Sequence, residues 1–394
     1  MKTLIELFDE RPIENVLSAE MFRPERLVYI CPENVFNDKQ KHLKVVEYFK
    51  HRGIELELVF LKTKFYEMNA ILELLRETVK KYPDCALDVS GGTDDALFAA
   101  GRLSAELNLP VFTYSRKRNK FFEISGAPFD GEVNCDVSYN VEDFFLMAGG
   151  SMHMGRVDNS VLEKYMDDID PFFELYLRNR RKWQAVISYL QRVSKADSEG
   201  YYSLDVEGSY TVKGDRGRKI EAPEKVLREF EDIGFISGLT IDRGNSVSFS
   251  FRDSQIRTWM RDIGSVLELY VYKACIDSGE FNDVRTSAVV YWEGYDSRQE
   301  NAVSNELDVM CAKGVVPVFI SCKTGSVQTE ALNELAILRD RFGSNMAKAA
   351  IVTAEKGGGA MRNRASELGI TVIDINDLSS GNAVKRIKNL MKAK

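Results

Sequence analysis

The stretch from Asn305 to Gly325 (NELDVMCAKGVVPVFISCKTG) constrains this chain more than any other. Two apolar, β-rich runs, Asn305–Met310 and Val316–Cys322, flank the turn signal Lys313-Gly314, so the segment is expected to fold back as adjacent strands. That topology sets Asp308 on one strand close to Lys323 at the end of the next. A carboxylate for a divalent cation, beside a lysine that steadies a water or a phosphate oxygen, is what metal-assisted phosphodiester hydrolysis requires. Glu306, two residues before Asp308, shares its strand face. A buried hairpin with an ordinary surface ion pair would read the same way, so the flanking elements have to decide.

Upstream, the segment Gly264–Cys275 contains Glu268, and apolar residues at Val266, Leu267, Tyr270, Val271 and Ala274 give it a buried helical face. A strand, Thr286–Trp292, follows. Helix with Glu268, strand, strand with Asp308, strand with Lys323, helix: this order resembles the core of the restriction-endonuclease-like nucleases. The resemblance implies Glu268, Asp308 and Lys323 as catalytic residues. It also implies Mn²⁺ or Mg²⁺ held by Glu268, Asp308 and the main-chain carbonyl of Cys322. The chain departs from that family at Ser321, where an Asp or Glu is usual, and Glu306, Glu330 or Glu334 is expected to replace it.

The chain has 394 residues, room for two or three domains, and a net charge of −7. No global basic field recruits nucleic acid, so any such binding must use a local patch. Six scattered cysteines without a C-x-x-C pair, and only three histidines, give no readable zinc site. Free thiols in a reducing cytoplasm are expected. No run of about 18 apolar residues offers a membrane span, and the first residues lack the apolar core of a secretion signal. A soluble, cytoplasmic protein is the expectation.

Residues 1–150 alternate strand-like and helix-like segments, which implies a largely parallel, doubly wound α/β sheet with its ligand beyond the carboxyl ends of the strands. Two loops fall there. Asp88-Val-Ser-Gly-Gly-Thr-Asp94 leads straight into a helix, and Gly91 and Gly92 allow the backbone N–H groups to approach a phosphate. Ser90 and Thr93 add hydroxyls, and Thr93 alternatively caps the helix. In Phe8–Asn15, the residues Asp9, Arg11 and Asn15 are placed to meet a base or phosphate. Together the two loops resemble the CARF (CRISPR-associated Rossmann fold) domain. The resemblance implies a cyclic oligoadenylate bound by Phe8, Asp9, Arg11, Asn15, Ser90, Gly91, Gly92, Thr93 and Asp94. Where that family often has a lysine after Gly-Gly-Thr this chain has Asp94, leaving Arg11, Arg116, Lys117 and Arg118 as candidate cations.

Gly149–Arg156 (GGSMHMGR) reads as a loop and a domain boundary, with His153 between two methionines as packing or surface. Residues 151–255 read as helices followed by a hairpin around Asp242–Asn245, a winged-helix-like module. Lys213, Arg216, Arg218 and Lys219 are its candidate nucleic-acid contacts, and a spacer between protomers is the alternative. Residues 256–394 complete the nuclease-like domain. Over its full length the chain resembles the CARF-plus-restriction-endonuclease-like ancillary nucleases of type III CRISPR systems. That resemblance implies a homodimer switched on by cyclic tetra-adenylate, or another cyclic oligoadenylate, to cleave single-stranded DNA or RNA or to nick duplex DNA. Two rivals stand beside it. One is a non-catalytic nucleotide-sensing DNA-binding regulator with a degenerate nuclease fold. The other is a small-molecule enzyme at Ser90–Asp94.

Overall fold

Alternating apolar strands and amphipathic helices in the first third build a seven-stranded sheet. Its strands are β1 (Thr3–Leu7), β2 (Arg26–Pro32), β3 (Glu57–Thr63), β4 (Cys85–Asp88), β5 (Val111–Ser115), β6 (Lys120–Ser125) and β7 (Glu132–Asn134). Their order is β3-β2-β1-β4-β5-β6-β7, the first five parallel and the last two antiparallel. β1 and β4 are neighbours although β2 and β3 intervene in the chain, so the sheet reverses its winding between them. The computed structural model describes residues 1–392 apart from residues 65, 156, 195–201, 215–216, 294–302 and 344–345.

The segment expected to be a boundary loop is instead a strand, β8 (Ser151–Met154). It pairs antiparallel with the far-removed β14 (Asp283–Tyr291) and forms the edge of a six-stranded sheet. The rest of that sheet is β15 (Ser304–Lys313), β16 (Val316–Lys323), β17 (Lys348–Thr353) and β18 (Ile370–Ile373), in the order β18-β17-β16-β15-β14-β8. His153 therefore occupies a strand position opposite Val289. Between β8 and β14 lies the middle module. It combines helices Met166–Asn179, Trp183–Val193, Glu224–Asp232 and Ser254–Met260 with small antiparallel strands, β9 (Asp205–Ser209), β10 (Thr211–Lys213), β11 (Lys219–Glu221), β12 (Ile236–Asp242) and β13 (Ser246–Phe251). β12 and β13 form the expected hairpin.

Both faces of the six-stranded sheet are covered. On one face Val309, Cys311, Val318 and Ile320 share a core with the middle module's Phe172, Trp183, Phe230 and Trp259. On the other, Leu307, Met310 and Phe319 join Leu332 and Leu335, and that core runs on through Phe144 and Phe145 to Tyr29 and Phe112 under the N-terminal sheet. The helix Ser265–Ser278 lies in the first of these layers. One apolar face was expected of it, yet Val266, Leu267, Leu269, Val271, Ala274 and Cys275 are all buried. The helix Met166–Asn179 packs on the side away from the sheet, with Phe173 stacked on Tyr270 at 3.6 Å between centroids. A helix apolar nearly all round is stable only when enclosed in this way.

All six cysteines are free and buried, and none of the helices described is long and apolar enough to cross a membrane.

Gly155 closes β8 onto β14. Its N–H donates to the Ser287 carbonyl at 2.7 Å, and a Cβ there would stand 2.1 Å from that oxygen. Overpacking against backbone has few ways to relax, so Gly155→Ala is expected to cost about 1–3 kcal/mol. A lowered midpoint in chemical denaturation of the full chain checks this; an unchanged midpoint contradicts it.

Candidate active site and ligand cavity

β15 and β16 pair antiparallel from Lys313↔Val316 to Val309↔Ile320 and then part. The Asp308 carboxylate occupies the gap. Its Oδ2 accepts the Cys322 N–H at 2.6 Å and the Ser321 hydroxyl at 3.0 Å, and the Lys323 ammonium lies 3.6 Å away. Ser321, the departure from the expected acid, thus orients the acid on the neighbouring strand. Asp308 is 15% exposed and Lys323 40%, so the carboxylate is held and the ammonium reaches solvent. From the opposite side the Thr286 hydroxyl donates to the Asp308 carbonyl at 2.7 Å.

Ser287, opposite Asp308 on β14, is buried and adopts φ +51. The β14–β15 ladder holds Thr286↔Val309 and Ala288↔Leu307 and skips the pair between them. A left-handed serine inside a strand is strained unless its surroundings fix it, and such strain concentrates at functional sites. Here Gly155 bonds its carbonyl and the Val157 N–H donates to its hydroxyl at 3.3 Å. Nothing in the residue type signals this conformation, so sequence reasoning missed Ser287.

Asp308, Ser321 and Lys323 line a cavity of about 220 Å³ together with Glu306, Glu334 and the helix Thr329–Gly343. Glu330 does not line it. Glu334 also accepts from the Asn305 amide at 2.7 Å. Glu268 is not among the lining residues. It sits in the first turn of the helix Ser265–Ser278, with Oε1 2.6 Å from where a Cβ on Gly264 would stand. Both carboxylates nevertheless act on Cys322: burial first, then the fields of Asp308 and Glu268, push its thiol well above the usual range. Among the described residues no three His, Cys, Asp or Glu side chains converge on one point suited to a metal ion. The donors at hand are carboxylates and main-chain oxygen, which suit a hard cation such as Mg²⁺ or Mn²⁺ that is completed by water and substrate phosphate.

The family model described as Card1-like, endonuclease domain matches residues 257–393. This stretch is similar to the Card1-like endonuclease domains. No curated protein matches the chain. Among solved structures, protein VC1899 from Vibrio cholerae is similar with a TM-score of 0.70 at 16% identity, covering 99% of this chain and 96% of that one. Can2 from Sulfobacillus thermosulfidooxidans, solved in complex with cyclic tetra-adenylate, is similar with a TM-score of 0.69 at 16% identity, covering 98% and 99%. The whole α/β architecture is therefore shared, end to end, with both.

A second cavity, of about 790 Å³, opens beyond the carboxyl ends of β1, β2, β3 and β4, at the end of the sheet that includes the β1–β4 reversal of winding. Of the expected ligand contacts, Phe8, Asp9, Arg11, Gly92 and Thr93 line it. Asn15 lines a smaller neighbouring cavity of about 310 Å³. Ser90, Gly91 and Asp94 line neither. The Ser90 hydroxyl points inward, donating to Asp88 and accepting the Tyr114 N–H. Gly91 is packing space, since a Cβ would stand 3.0 Å from that of Asp9. Gly92 is at φ +102, a Cβ there would stand 2.6 Å from that of Leu7, and its N–H already donates to Asp9 Oδ2 at 2.8 Å. The glycine turn is thus closed by a protein carboxylate. Asp9 is in turn gripped by Arg11 through two bonds at 2.7 and 2.8 Å, and its N–H and carbonyl are bonded by Asn15. Burial works against ionising Asp9, but Arg11 and the Gly92 N–H outweigh it and hold the acid below its usual range. Thr93 caps the helix Asp94–Leu107. Arg116 is engaged by Glu14 and does not line the cavity. Tyr66, missed in the sequence, lines it and is 92% exposed.

Under this floor lies a cluster of buried acids. Glu6 faces Asp88 across β1 and β4, and neither of its oxygens has a hydrogen-bond partner. Burial, then Asp88 and Glu14, push Glu6 well above the usual range; burial raises Asp88 to about 6 and Glu14 to about 7. Groups raised on folding stabilise fully below their unfolded pKa of about 4 and lose that contribution as pH rises through the folded values. The melting temperature is therefore expected to fall between pH 5 and pH 8, and to fall less in Glu6→Gln. A variant with the same pH profile as wild type would contradict the assignment.

Proposed function

We propose that this chain is a metal-dependent nuclease switched on by a cyclic oligoadenylate, with cyclic tetra-adenylate the first candidate, that cleaves single-stranded DNA or RNA or nicks duplex DNA. The observation that carries the reading is the Asp308 carboxylate in the strand gap of a Card1-like endonuclease domain, with Lys323 3.6 Å away. Support for the activator is the cavity at the sheet's reversal point, together with a fold shared with a protein solved with cyclic tetra-adenylate.

Asp308, Glu268 and the Cys322 main chain would hold Mg²⁺ or Mn²⁺, with Glu306 or Glu334 standing in for the acid absent at Ser321. Such an ion, held there, would supply Lewis-acid polarisation of the scissile phosphate. The Ser321 hydroxyl and Cys322 N–H fix the carboxylate's orientation, so a cation binds without first ordering that side chain. The Lys323 ammonium, exposed on one side, pairs with a phosphate oxygen or steadies a water as negative charge develops. In the ligand cavity Tyr66 offers an adenine a stacking face, and Arg11 and Lys64 offer cations to phosphates. A two-fold symmetric ring suits a site shared by two copies, so a homodimer belongs to the proposal.

The deciding experiment follows cleavage of labelled single-stranded DNA and RNA with Mn²⁺, with and without cyclic tetra-adenylate. Cleavage is expected only with both, and Lys323→Ala and Asp308→Asn are each expected to lower it by about 10²-fold or more. Absence of cleavage with every cyclic oligoadenylate would favour the regulator, a reading that the lack of a three-acid cluster among the described residues keeps open. Separately, Tyr66→Ala is expected to weaken cyclic tetra-adenylate binding by about 1–3 kcal/mol per lost base stack, read by calorimetry. Unaltered affinity would remove Tyr66 from the site.

A further inference from the structure

We propose that a groove in the middle module, between the turn Arg180–Lys182 and the β10–β11 hairpin, is a docking surface for the phosphate backbone of the nucleic-acid substrate. This deepens the nuclease reading by naming where its substrate is held away from the scissile bond. The groove encloses about 940 Å³ and is lined by Arg181, Lys182, Arg218, Lys219 and Lys225. All five are exposed. Among the described residues Arg181, Lys182, Arg218 and Lys219 have no acidic partner, while Lys225 reaches Glu229 at 3.5 Å. Two acids also line the groove. Glu224 is taken by Arg243, with bonds of 2.9 and 3.0 Å, which leaves Glu221 facing the cluster.

Four cations without an acidic partner among the described residues, gathered on one concave surface, repel each other, and the composition of a chain of net charge −7 does not impose them. A polyanion relieves that repulsion and releases its own counterions, which is the sequence-independent part of nucleic-acid affinity. The polar neutral side chains in the groove, Gln184 and Ser188, are of the kind that contact phosphate and sugar.

Position gives a second, independent argument. The Arg180 guanidinium donates to the Ala354 carbonyl at 3.4 Å, and the Ala354 N–H donates to the Lys323 carbonyl at 3.0 Å. The turn that presents Arg181 and Lys182 is thus fastened to the strand end that carries Lys323. A nucleic-acid strand lying in the groove is led to that strand end. Of the cations expected from sequence, Arg218 and Lys219 line the groove and Lys213 does not; Arg216 lies outside the described residues. Arg181 and Lys182 sit in a helical stretch where a basic run reads as a solvated face, and only the fold brings them opposite β11.

Binding is tested on the full chain with Lys323→Ala as the parent, which separates holding from cleaving. Fluorescein-labelled single-stranded DNA, duplex DNA and RNA are titrated by anisotropy at several salt concentrations. Arg218→Glu/Lys219→Glu, and separately Arg181→Ala/Lys182→Ala, are expected to weaken binding at least tenfold. Each should also make the slope of log K against log[salt] shallower by about 1.4 for single strands or about 1.8 for duplex, from two lost phosphate contacts. Lys80→Glu/Lys81→Glu, the same charge change on the N-terminal domain, should stay within twofold of the parent. Groove variants with the parent's affinity and slope, or a control that loses as much, would overturn the proposal. Since cleavage is not the readout, a catalytically silent wild type would sink the nuclease reading and leave this result independent of it.

Discussion

The place where β15 and β16 stop pairing organises the candidate active site of this molecule. A ladder that continued would use the Cys322 N–H in an ordinary backbone bond and leave Asp308 as one more surface acid. Because the strands part, that N–H becomes a fixed donor to the Asp308 carboxylate, backed by Ser321. The parting coincides with the left-handed Ser287 on the facing strand, which Gly155 and Val157 hold in place from the chain leaving the N-terminal domain. The position of one carboxylate therefore depends on segments more than 150 residues apart.

Much of this was readable beforehand, for reasons that differ by element. The strands around Lys313-Gly314 and the helix bearing Glu268 announce themselves by apolar periodicity and turn chemistry, which are local. β8 escaped because four residues between glycines, two of them methionine, have no period to read; their strand character comes from β14. The all-round burial of the helix Ser265–Ser278 was equally out of reach, since a 3.6-residue pattern shows one face and the second is covered by the middle module. Asp308 and Lys323 were legible because neighbouring strands bring them together. That Glu306 and Glu334 share their cavity while Glu330 does not is a matter of helix rotation, which spacing alone leaves open.

In the N-terminal domain the same logic inverts the meaning of the glycine turn. Gly-Gly-Thr before a helix suggests bare N–H groups awaiting an anion. The fold spends one of them on Asp9, and the steric demand on Gly92 comes from Leu7. The turn is a joint between the first and fourth strands, and the residues that face the cavity belong chiefly to the loops after β1, β2 and β3. Beneath it, Glu6, Asp88 and Glu14 crowd three acids near the sheet's switch point, where burial, then Asp88 and Glu14, raise the cost of ionising Glu6.

The path of the chain through β8 carries a consequence for what counts as a unit. The endonuclease family match begins at residue 257, yet the outermost strand of that sheet is contributed by residues 151–154. A fragment cut at the family boundary would strip that strand and bare the backbone N–H and C=O groups of β14, a flat template of the kind that recruits other chains. Recombinant pieces of this protein that keep the six-stranded sheet whole must therefore begin ahead of Ser151, and so retain the middle module as well.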